Sequence, residues 1–182
     1  MMEKETKQSW MVACIVVSAL LIDQIIKLSI VHSFEPGEGK EIFSWFWLCY
    51  VENNGMAFGI EWFSKLALTL FRLFAAGLLG WYIHTLIYKQ HASTGYIATI
   101  AFIIAGALGN IVDCVFYGKL FQGTDWFYGR VVDMFYFPLI HNSAGEVLFF
   151  RPVFNFADSC ITCSIAVILL FYIKELNGKE KA

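Results

Sequence analysis

Four stretches of this chain are each long and apolar enough to cross a bilayer, and nothing else in the sequence restricts the fold as much. A helix rises about 1.5 Å per residue, so a span needs about 20 mostly apolar residues. Trp10–Val31, Ser64–Tyr88, Tyr96–Tyr117 and Asn155–Ile173 meet that requirement. Of the 182 residues, 58% are hydrophobic and only 15% are charged, against about 25% charged in a soluble domain. The sequence therefore predicts an all-α membrane protein, one four-helix bundle formed by a single domain over residues 1–182. The first stretch is read as a retained span, because "DQIIK" rather than a small-residue cleavage site follows its apolar run.

An even number of spans places both termini on one side. That side carries Lys4, Lys7, Lys89, Lys174, Lys179 and Lys181. The other carries Lys40, Lys65, Lys119, Arg130 and Arg151, on long loops that weigh less in orientation. The expectation is cytoplasmic termini. Two long segments then lie outside. Residues 33–63 are rich in aromatics ("EIFSWFWLCYVENNGMAFGIEWF"), which predicts a small sheet or hairpin at the interface, with sharp turns at Gly55 and Gly59. Residues 118–154 carry a turn signal, "NSAG", between apolar runs.

Several chemistries are disfavoured. A net charge of -2 without a dense basic block gives no nucleic-acid signal. Cys160 and Cys163 form a C-x-x-C, but with no second Cys/His pair nearby they read as small apolar helix residues, as does Cys14. The four histidines, His32, His84, His91 and His141, are scattered. Neither a metal nor another cofactor is expected.

On this topology the polar side chains of the spans converge at one level. Asp23 and Lys27 lie in the outer half of the first span, Arg72 toward the outer end of the second, Asn110 and Asp113 at the outer end of the third, and Asn155 and Asp158 at the outer start of the fourth. Asn53 and Asp133 belong to the outer loops. Each has a plainer reading. Asp23 and Lys27 are four apart and can pair on one helix face. Arg72 can snorkel to the interface. Asn155 can cap the fourth helix, with Asp158 facing the positive end of its dipole. The second carboxylate, Asp133 in "GRVVDMF", favours chemistry. Two carboxylates in a poorly hydrated site do not both ionise easily; the pair shares a proton and can act as base and acid together. This is the pattern of an aspartyl hydrolase. An ion-coupled transporter is the alternative, but its path needs charges spread through the membrane depth. A non-enzymatic assembly factor is a third reading.

Five stretches in order carry a resemblance: "DQIIK" (Asp23–Lys27), "NNGMAFG" (Asn53–Gly59), "AGALGNIVD" (Ala105–Asp113), "GRVVDMF" (Gly129–Phe135) and "FNFAD" (Phe154–Asp158). In these the chain resembles the signal peptidase II family of bacterial inner membranes. The resemblance implies a four-helix bundle with an extracytoplasmic β-cradle and a short interfacial helix. It implies an aspartic endopeptidase that acts on diacylglyceryl-modified prolipoproteins within membrane lipids, cleaving before the lipidated cysteine, and that is inhibited by globomycin. It places the catalytic pair on Asp133 and Asp158, with support from Asp23, Lys27, Asn53, Gly55, Asn110, Asp113 and Asn155. One departure is local: the family's "GNxxDR" has arginine where this chain has Cys114. Arg130, or Lys119, is the expected substitute. The loops flanking Asp133 also look longer than the family's.

Overall fold

The computed structural model describes residues 2–55, 64–141, 147–149 and 152–177. The "NSAG" turn, Gly59 and most of "NNGMAFG", and Arg151 lie outside them. Four helices are long and apolar enough to span a membrane: α1 (Met2–Ser33), α2 (Lys65–Tyr88), α3 (Thr94–Leu120) and α4 (Phe156–Leu176). Both α3 and α4 contain a π-helical turn, at Asp113–Tyr117 and Ile168–Tyr172. The chain is a multi-pass membrane protein.

Local signals start three of the helices. The Ser64 hydroxyl accepts from the Ala67 N–H, and the Ser93 hydroxyl from the Tyr96 N–H. Asn155 and Asp158 form a reciprocal capping box at the head of α4, the arrangement its sequence favours. The first helix begins well before Trp10. Its 32 residues would measure about 48 Å, longer than the ~30 Å hydrocarbon core. Its extra turns are polar, and Lys7 pairs with Glu3 one turn away at 2.6 Å.

Burial is inverted relative to a soluble protein. Trp10, Phe71 and Phe171 are 70%, 65% and 74% exposed, whereas Lys27 is fully buried and Asp23 is 1% exposed. Lipid is as good a solvent for the aromatics as protein, so the bundle interior is reserved for packing and for groups that must escape hydrocarbon. At the end near the termini, Ile83, Leu86 and Ile87 of α2 pack with Tyr96, Ile97, Ile100, Ala101 and Ile104 of α3 and Ile168 of α4. Toward the other end, α3 narrows. A side chain on Gly106 would strike the Ala157 carbonyl and Ile161, and one on Gly109 would strike the Asp23 carboxylate. These two glycines let α1 and α4 approach α3 closely.

The far end carries an antiparallel sheet in the order β1 (Gly39–Phe43), β2 (Phe46–Asn53), β3 (Val131–Tyr136). A separate two-stranded ribbon joins β4 (Ile140–His141) to β5 (Val147–Phe149). Ile30, Tyr50, Tyr117, Val132 and Met134 form a second core beneath the sheet. Phe43, Trp45, Phe46, Phe135, Phe137 and Phe154 run ring to ring across it, with centroids 5.0–6.2 Å apart. The expected aromatic sheet is thus present. The short interfacial helix is not found among the described residues; Gly118–Leu120 only continues α3.

Candidate active site

Two backbone registers bring the two carboxylates together. In the first, Val51 pairs with Asp133 and Asn53 with Val131. Side chains alternate along a strand, so Asn53 shares a face with Asp133 on the diagonal, within side-chain reach. The Asn53 amide donates to Asp133 Oδ2 at 2.9 Å. In the second, Phe154 exchanges both hydrogen bonds with Phe135, N–H to carbonyl, at 3.1 and 2.8 Å. That bridge draws the head of α4 alongside β3.

Asn155 then joins the pair. Its Nδ2 donates to Asp133 Oδ1 at 2.7 Å, and its Oδ1 accepts from the Asp158 N–H at 2.9 Å. Its own N–H reaches Asp158 Oδ2 at 3.4 Å. The amide of Asn110 donates to Asp158 Oδ1 at 2.8 Å, while Asn110 Oδ1 accepts from Lys27 Nζ at 3.0 Å and Asn155 Nδ2 at 3.1 Å. Asp133 and Asn155 are buried; Asp158 and Asn53 are half-buried, so among the described residues the pair keeps partial exposure on the side of Asp158.

Beneath the pair lies a buried ion triad. Lys27 Nζ bridges Asp23 at 3.0 Å and Asp113 at 2.8 Å. Each of these carboxylates also grips the backbone beside one member of the pair. Asp113 Oδ2 accepts from the Val132 N–H at 3.0 Å, one residue before Asp133. Asp23 Oδ1 accepts from the Ala157 N–H at 3.0 Å, one residue before Asp158. The triad therefore sets the spacing between β3 and the head of α4. Its charges are surrounded by hydrogen bonds, as buried ions require. The i,i+4 pairing of Asp23 with Lys27 and the capping role of Asn155 are both real, and both also build the site.

The electrostatics differ from those of a surface carboxylate. Burial pushes the Asp133 carboxyl up to about 7, and the neighbouring charge of Asp158 adds to the rise. The donors on Asn53 and Asn155, and the Lys27 cation, oppose it. A carboxyl near 7 carries a proton about half the time at neutral pH, the condition for one pair to provide both acid and base.

Two expectations are placed differently. The Arg130 guanidinium binds Glu52 at 2.6 Å, and Lys119 pairs with Asp125 at 3.5 Å. The cation beside Cys114 is instead Arg72, whose Nη1 lies 2.8 Å from Sγ. Arg72 thus turns inward rather than out to the interface. A further residue was not singled out by sequence. Gln24 donates to Asp23 at 3.0 Å, to the Gly109 carbonyl at 3.2 Å and to Asp113 at 3.2 Å, and accepts from the Tyr117 hydroxyl at 3.1 Å. Its signal was a polar residue between Asp23 and Lys27 in an apolar run. Among the described residues no three His, Cys, Asp or Glu side chains group to hold a metal ion.

Comparison with known proteins identifies the family and the fold. The family model described as Signal peptidase (SPase) II matches residues 15–174. The lipoprotein signal peptidase of Porphyromonas gingivalis is 40% identical, over 95% of this chain and 89% of its own length. That of Amoebophilus asiaticus is 34% identical, over 91% and 78%. A solved bacterial membrane enzyme shares the fold with a TM-score of 0.66, at 24% identity over 90% of this chain and 92% of its own.

Proposed function

The chain belongs to the signal peptidase II family, and we propose that Asp133 and Asp158 are the aspartic pair with which it removes the signal peptide from diacylglyceryl-modified prolipoproteins. The observation that carries this reading is the single residue between the carboxylates. Asn155 donates to Asp133 and accepts from the backbone of Asp158, so the two acids flank one fixed point.

A scissile peptide entering from the partly exposed side meets a water held by the pair. The water oxygen attacks the carbonyl carbon as its proton passes to Asp158. Asp133 gives its proton to the carbonyl oxygen. Collapse of the tetrahedral intermediate breaks the C–N bond; the proton gained by Asp158 goes to the departing amine, and a hydroxyl proton returns to Asp133 as the carbonyl re-forms. Burial supports this division of labour, because it is what keeps a proton on Asp133 near neutral pH.

The depth of the site suits the substrate. A lipid-modified precursor stays in the bilayer, so its cleavage point must be met at the membrane surface. The pair sits where the spans end and the sheet begins, and exposed apolar helix faces below it are open to acyl chains. The inner membrane, cytoplasmic termini and an outward-facing site complete this reading, with lysine bias as their support. Globomycin-type inhibitors would occupy the same side. The far-end gathering of polar groups speaks against transport.

The test is cleavage of a diacylglyceryl-modified prolipoprotein by folded Asp133→Asn and Asp158→Asn variants. Each is expected to lose activity by about 10²–10⁴-fold, the usual worth of general acid–base assistance. The double variant should lose little more, because the two act as one unit. Near-normal turnover by either single variant would overturn the pair.

A further inference from the structure

The Arg72 guanidinium has surroundings that membrane burial alone does not explain. It is half-buried, and among the described residues no carboxylate lies within ion-pair distance of it. A cation inside a bundle normally finds a counter-charge or turns to the interface. Arg72 does neither. Its Nη1 donates to Cys114 Sγ at 2.8 Å and its Nη2 to the Gly55 carbonyl at 3.2 Å. The position of Gly55 is matched to this contact. It holds φ at +74°, and a Cβ there would fall on the guanidinium itself. Lys65, two turns earlier on α2, fixes the preceding carbonyl, that of Asn54, at 2.9 Å.

What Gly55 holds in turn is the site. The Gly55 N–H donates to Asn53 Oδ1 at 2.7 Å, a short turn that leaves the amide nitrogen of Asn53 pointing at Asp133. We infer that Arg72 is a positioning residue for the proposed catalytic pair: anchored on Cys114, it clamps the Gly55 carbonyl and so keeps Asn53 donating to Asp133. The contact joins α2 to α3 and to the end of β2. The inference rests on the reading of Asp133 and Asp158 as that pair.

The consequence has a sign. A donor on a carboxylate favours its charged form. If the clamp is lost and Asn53 turns away, Asp133 keeps its proton to higher pH. The other charges facing Asp133, Asp158 from α4 and Lys27 from α1, are unaltered by the change. The alkaline limb of the pH–rate profile therefore moves upward, a change that general loosening of the bundle does not produce.

The experiment measures kcat, KM and the pH–rate profile of Arg72→Ala and Arg72→Lys in the full-length protein in lipid, with a diacylglyceryl-modified prolipoprotein as substrate. For Arg72→Ala we expect kcat to fall by up to about 10²-fold, the scale of a misplaced catalytic group. KM should change little and the alkaline limb should move up. Lysine keeps the charge but cannot reach the thiol and the carbonyl together, so Arg72→Lys should fall between. An unaltered kcat overturns the inference, and so does a lower kcat with an unmoved limb. Should Arg72→Ala fail to fold, the limb of Arg72→Lys decides by the same criterion. Asp133→Asn run in parallel separates the two claims. If it is inactive while Arg72→Ala behaves as the parent, only the positioning role falls; if it is active, the catalytic pair itself falls.

Discussion

The two ends of this bundle are built on opposite principles. Near the termini, the helices meet through Ile83, Leu86, Ile97 and Ile104, and separate polar contacts tie their ends: Gln8 to Thr94 at 3.1 Å, the Ser93 hydroxyl to Glu175 at 2.8 Å and the Tyr82–Tyr96 hydroxyl pair at 2.8 Å. At the far end Asp23, Lys27, Asp113, Asp133 and Asn155 are all buried within one connected network. The difference shows what each end is for. In a membrane, apolar packing gains little from leaving lipid, so the apolar end holds helices together by close fit and a few isolated hydrogen bonds. The polar end removes charges from hydrocarbon only because each one orients another, and the network terminates on two carboxylates with one partly exposed side.

The largest expected effect breaks the polar end at its centre. Lys27→Met should leave the Asp23 and Asp113 carboxylates buried without a cation, at a cost of about 3–5 kcal/mol. Thermal unfolding in detergent should show the loss. Activity should fall further than the folded fraction, because the grips on Val132 and Ala157 loosen together. An active, equally stable variant would mean that the triad neither supports the bundle nor spaces the pair.

Next is the pH dependence. The proposed mechanism uses the protonated form of Asp133, whose pKa is raised to about 7. Turnover should therefore decline above that value, by about tenfold per pH unit once the proton is largely lost. A profile flat to pH 9 would remove Asp133 as the acid.

A smaller effect is expected at the apolar end. Leu86→Ala opens a cavity in a buried position. The cost should lie at or below the ~2 kcal/mol minimum seen for core leucines in water, because the alternative solvent is lipid. Activity per folded molecule should be unchanged. Equal losses from Leu86→Ala and Lys27→Met, in both stability and activity, would dissolve the contrast between the ends.

The smallest change concerns Arg130. Its side chain is 43% exposed and pairs with Glu52 outside the network. Such partly exposed pairs contribute about 0–1 kcal/mol, so Arg130→Ala should cleave nearly as fast as the parent. A sharp loss would return Arg130 to the role that Cys114 leaves open.

Hydropathy and spacing alone determined the four helices, because an uninterrupted apolar run of about 20 residues satisfies its own backbone in lipid as a helix, whereas barrel strands are about half as long. The same patterning determined that polar side chains gather at one end, and the cap of α4 was legible in Asn155, whereas those of α2 and α3 on Ser64 and Ser93 emerged with the structure. Other features depended on contacts far apart in sequence. That Asp133 faces Asp158 follows from the Phe135–Phe154 bridge and the β2–β3 register, and no local pattern encodes a register. The inward turn of Arg72 was equally hidden. Sequence shows a long cation near a span end, for which the interface is the ordinary resting place; only the fold shows Cys114 and a side-chain-free Gly55 leaving a space of its shape. The tertiary structure decided where each charge points, because a buried charge settles on the partners that the assembled bundle brings within reach.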